Sequence, residues 1–105
     1  MAQIPVEIEN KIRRYLETLE QNRIRIKTAV LFGSYAKGTY DQWSDIDLAI
    51  VSDDFEGNRF NDVERLRPFK KEIDWSISPM PFTAADFDES NVFVREIIRS
   101  GVRIV

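Results

Sequence analysis

The segment from Val30 to Ser52 constrains this chain more than any other: VLFGSYAKGTYDQWSDIDLAIVS. An apolar run ends in Gly33-Ser34, ten mostly polar residues follow, and Asp45-Ile46-Asp47-Leu48 leads into Ala49-Ile50-Val51. The pattern predicts a strand, a tight turn, a short helix or loop, and a second strand. Successive side chains on a strand point to opposite faces, so Asp45 and Asp47 share one face and Ile46, Leu48 and Ile50 the other. At ~3.3 Å rise per residue the two aspartates sit ~6.6 Å apart along the backbone. Like charges held close cost energy, about 4 kcal/mol at 4 Å and an effective dielectric of 20. Such a pair calls for a cation, a shared proton or open water. Oxygen ligands without sulfur or imidazole suit a hard ion such as Mg²⁺. The Gly33-Ser34 turn offers close backbone approach, a hydroxyl and an N–H, which is what a phosphate needs. The competing reading is a turn and a strand whose aspartates face water.

Composition removes other chemistries. The sequence has no histidine and no cysteine, so imidazole bases, disulfides and thiolate zinc sites are excluded, and carboxylates must do any acid–base or metal work. With 105 residues the chain is read as a single domain over 1–105. A net charge of −3 counts against general nucleic-acid binding. No apolar run reaches membrane-spanning length, and MAQIPVEIEN lacks the cationic and apolar regions of a signal peptide, which points to a cytoplasmic protein.

Gly33-Ser34, the ten-residue spacing and Asp45-x-Asp47 between apolar residues resemble the core motif of the nucleotidyltransferase superfamily of DNA polymerase beta. The small size is similar to its stand-alone members, the minimal nucleotidyltransferases, which occur as antitoxins beside a HEPN-domain partner. The resemblance implies an α+β fold, a small mixed β-sheet with helices packed on one face.

The rest of the chain fits that outline. Ile4, Ile8, Ile12, Leu16 and Leu19 predict an amphipathic helix from Pro5 to Gln21. Ile24 to Phe32 reads as the first strand. Lys37, one helical turn past Gly33, either reaches a bound triphosphate or is a surface lysine. Tyr40 and Trp43 either stack on a nucleobase or pack over the sheet edge. Phe60, Val63 and Leu66, with Phe69 continuing the three-residue spacing, predict a short helix stopping before Pro68. That helix and Lys70-Lys71 are the most basic stretch, by default a solvated face and alternatively one turned to an anionic ligand or partner. Glu72 to Pro79 alternates and predicts a half-buried strand ended by proline. Superfamily members carry a third carboxylate on a strand beside the aspartate pair; Asp74 matches that pattern, Glu72 is the alternative, and an exposed edge-strand aspartate is the competing reading. Thr83 is placed to cap one turn, and Val92, Phe93, Val94, Ile97 and Ile98 form a helical stripe that ends at Gly101, before a terminal strand or hook.

The resemblance further implies that Asp45, Asp47 and Asp74 bind two Mg²⁺ ions and carry catalysis. Gly33, Ser34 and Lys37 would hold the triphosphate of ATP or another NTP. A hydroxyl acceptor would then take the nucleoside monophosphate, AMP onto a tyrosine of a HEPN toxin being the implied case. Two alternatives stay open: a non-catalytic antitoxin subunit acting by contact, and transfer to a small hydroxylated molecule.

Overall fold

The computed structural model describes residues 4–105; Met1 to Gln3, part of the stretch read as lacking signal-peptide features, lie outside the described residues. The first helix, α1, spans Val6–Gln21 and buries Ile12, Tyr15, Leu16 and Leu19. Pro5 precedes it, and its carbonyl accepts the Ile8 and Glu9 N–H groups at 3.0 Å. The helix ends in a paired-bond cap: Arg23 N–H donates to the Glu20 carbonyl at 3.1 Å and Ile24 N–H to the Leu19 carbonyl at 3.0 Å. Arg23 takes the left-handed conformation there, φ 67°. This cap corrects the expected start of the first strand. Ile24 is buried because it closes the helix end on Leu19, and strand β1 runs only from Thr28 to Phe32.

After β1 come the single-turn helix α2 (Ser34–Lys37) and strand β2 (Ile46–Val51). The two strands are antiparallel, with Thr28 opposite Val51 and Phe32 opposite Asp47. Helix α3 then spans Arg59–Ile73, capped by the Asn58 side chain, which accepts the Asn61 N–H. It runs through Pro68, where a stop was expected. A proline inside a helix costs about 3 kcal/mol. Leu66 is fully buried and Phe69 and Ile73 pack on the same core, which offsets that loss. Asp62 is buried on this helix, accepting the Glu56 N–H at 2.9 Å and the Gly57 N–H at 3.0 Å.

Strand β3 (Ile77–Phe82) lies parallel to β2, helix α4 spans Val92–Ser100, and β4 (Val102–Arg103) pairs antiparallel with β1. The sheet order is β3-β2-β1-β4. The Ser76 carbonyl accepts the Ile46 N–H of β2 and the Phe82 carbonyl the Ser52 N–H just past it, so Pro79 and Pro81 have the opposite parity and face the open edge, where a missing N–H costs nothing. Thr83 closes its turn as expected, its hydroxyl accepting the Asp86 N–H. Gly101 follows α4 at φ −81°, so it is required by crowding rather than handedness: a Cβ there would collide with the Ile97 carbonyl and Val30.

The sheet has two unlike faces. Ala29, Leu31, Ile46, Leu48, Ile50 and Ile77 join α1 and Leu66 in the main core. Val30 and Ala49 turn the other way, meeting Ile97 of α4 with Phe32 and Phe82 at the margin. The expected α+β mixed sheet is present; α1 and α3 form the helical layer on one face, and α4 partly covers the second.

Candidate active site

Alternation along β2 puts Asp47 on the second face, since Ile46 and Leu48 are fully buried on the first. Asp45 lies one step before the strand on the same parity and is exposed, while Asp47 is half-buried. Burial, and then the neighbouring Asp45 charge, push the Asp47 carboxyl above its usual range. The ionised pair is therefore held at a cost, which a cation would remove. Two hard oxygen donors without nitrogen or sulfur fit a divalent ion such as Mg²⁺.

The turn before α2 meets this pair directly. Phe32 is the register partner of Asp47, so Gly33 emerges from β1 beside the aspartate. Gly33 has φ 73° and ψ −150°, open only to glycine, and a Cβ on it would collide with the Asp47 carboxylate. The Gly-Ser turn and the acid pair are thus one site, packed without room for a methyl group. The first N–H groups of a helical turn have no partner within it, so those after Gly33 are available to an anion. Gly38 ends the turn at φ 77° in the left-handed conformation. Phe32, standing beside Asp47, packs edge-on against Phe93 of α4, with ring centroids 6.0 Å apart.

The other expected residues fall differently. Lys37 is exposed and forms no ion pair with either aspartate among the described residues. Tyr40 stacks on the buried Tyr35 at 4.6 Å, whereas Trp43 is 82 % exposed and does not pack over the sheet edge. Asp74 is not on a strand. It caps the C-terminus of α3, and its carboxylate accepts from Lys11 Nζ at 2.6 Å and from the Ser76 hydroxyl and N–H. The Lys11 hydrogen bond, then that of Ser76, hold its pKa down at about 2. Glu72 belongs to α3, and Trp75 is 63 % exposed beside Lys70 and Lys71. The apparent alternation of residues 72 to 79 arose from a helix end, a turn and a strand start read as one element. Among the described residues, no three acidic side chains are grouped to hold a metal.

Two residues at this end of the sheet escaped sequence reasoning. Lys11, 63 positions from Asp74, carries no local signal. Ser78 is the register partner of Asp47 on β3, exposed on the same face. Its alternation with Ile77 and Pro79 is visible in the sequence, but the register that sets it beside Asp47 is not.

Residues 9–101 match the nucleotidyltransferase domain family. The chain belongs to that family. This nucleotidyltransferase is 39 % identical over 84 residues to a protein of Methanocaldococcus jannaschii named as a candidate protein adenylyltransferase; the match spans 65 % of this chain and 84 % of that protein. It is similar in fold to the crystal structure of a candidate nucleotidyltransferase from Sulfolobus solfataricus, with TM-score 0.61, 21 % identity, and coverage of 98 % of this chain and 89 % of the other. It also resembles a chain in the crystal structure of a toxin–antitoxin complex with AMP-PNP, at TM-score 0.61 and 26 % identity, over 92 % of this chain and 72 % of that one. No described helix is long and apolar enough to cross a membrane.

Proposed function

We propose that this nucleotidyltransferase transfers AMP from ATP, with Mg²⁺, to a tyrosine hydroxyl of a HEPN-type partner toxin and so acts as its antitoxin. The acceptor oxygen gives up its proton to solvent and bonds to the α-phosphorus, the bond from that phosphorus to the α–β bridging oxygen breaks, and pyrophosphate leaves. The observation that carries the reading is the contact of Gly33 with the Asp47 carboxylate, which joins a phosphate-binding turn to a charged pair needing a cation. Asp45 and Asp47 would hold the ion, which would supply charge neutralisation at the triphosphate. Gly33 lets the nucleotide approach the backbone, Ser34 adds a hydroxyl, and Lys37 is in sequence reach of the phosphates. The named relative and the toxin–antitoxin neighbour support a protein acceptor.

A contact-only antitoxin is favoured by one observation, the engagement of Asp74 by Lys11 away from a three-carboxylate group. Incubation of the chain with Mg²⁺, α-labelled ATP and a lysate of the source cells separates the two. Transfer predicts a labelled protein band with wild type that is lost in the Asp45→Asn/Asp47→Asn variant. A variant that still captures and inhibits its partner, with no label transferred by either protein, would leave contact inhibition standing.

A further inference from the structure

The family resemblance implies two ions held by three carboxylates. The place across from the aspartate pair is not filled by an acid here. In the parallel β2–β3 register Asp47 stands opposite Ser78, and the Ile46 N–H donates to the Ser76 carbonyl, so the residue leading into β3 beside Asp45 is Ser76. Neighbouring strands are ~4.8 Å apart, and register partners in a parallel pair share a face, so Ser78 is the residue nearest Asp47 on that side. The nearby carboxylate in sequence, Asp74, is already occupied by Lys11 and Ser76.

We infer that this chain, without its acceptor, binds one divalent cation per nucleotide, held by Asp45, Asp47 and the triphosphate, and that Ser78 occupies the position where a carboxylate would create a second cation site. A neutral hydroxyl is a weak ligand and brings no charge, so a second dication there would face only what remains of two aspartates and a phosphate already shared with the first. The inference rests on the nucleotide-binding reading above and sharpens its metal content.

The test is equilibrium dialysis of the whole chain against Mn²⁺ and a non-hydrolysable ATP analogue, counting both retained species. The expected ratio is one Mn²⁺ per analogue for wild type and for Asp74→Asn. Ser78→Asp, at an exposed position that should tolerate it, is expected to raise the ratio to two. A wild-type ratio of two would overturn the inference while leaving nucleotide binding intact. A Ser78→Asp ratio that stays at one would also overturn it, because Ser78 would then not mark the second position. Failure of wild type to retain the analogue would instead overturn the nucleotide reading, and the inference with it.

Discussion

Asp47 and Asp74 are both aspartates near the same end of one sheet, and the fold treats them oppositely. Asp74 is supplied with everything a carboxylate wants: an ammonium at 2.6 Å, a hydroxyl and a backbone N–H. Its ionised form is favoured. Asp47 is half-buried beside another carboxylate and against a glycine backbone, and its ionised form is disfavoured. A satisfied charge contributes to stability and has little left to offer a ligand. An unsatisfied one costs stability and gains most from a cation, which is why strained electrostatics mark function more reliably than the presence of acids.

The sharpest way to break this contrast is Asp47→Asn. Retention of the Mn²⁺–nucleotide pair is expected to fall more than about 100-fold, beyond the loss typical for an outer-shell partner. The unfolding free energy of the free protein is expected to rise by less than about 1 kcal/mol, because both acids are partly solvated, and its thermal midpoint with it. A midpoint that falls would show that Asp47 is a structural residue like Asp74. Gly33→Ala comes next. The new methyl must displace the Asp47 carboxylate and hold a backbone conformation that costs an L-residue roughly 1–3 kcal/mol, so binding should weaken at least about tenfold along with a lower unfolding midpoint. Unchanged binding would sever the turn from the acid pair.

The smallest effect belongs to Asp74. Replacing it with Asn should cost about 1 kcal/mol, roughly 4–8 °C in midpoint, since Lys11 is partly exposed. The sign with pH follows from its depressed pKa. The folded carboxyl titrates near 2 instead of 3.8, so its contribution is complete above about 3.8 and disappears as pH falls toward 2. Wild type should therefore lose stability across that window more steeply than Asp74→Asn, measured by urea unfolding at each pH. The variant keeps part of the slope, because Asp54 is similarly held at about 2 by Arg25. Equal slopes would mean the Lys11 pair does not survive in solution.

Local pattern was informative where one element had one period. The β2 alternation placed Asp45 and Asp47 on one face, and the α4 stripe with Gly101 located a helix end. It misled where elements abut. Ile24 reads as strand until the cap on α1 claims it, and Glu72 to Pro79 reads as one strand until α3 is seen to continue through Pro68. Propensity argued for stopping that helix; the buried Leu66 and the partly buried Phe69 and Ile73 on either side of the proline outweighed it.

The sequence alone determined that imidazole and thiolate chemistry are excluded, that two carboxylates share a strand face, and that a Gly-Ser turn precedes them, because these follow from residue type and a period of two. Only the tertiary structure decided which acids meet. Strand register set Ser78 rather than an acid beside Asp47, and Lys11, far away in sequence, took Asp74, because charges are paired by distance in space and a one-residue shift of register changes every neighbour.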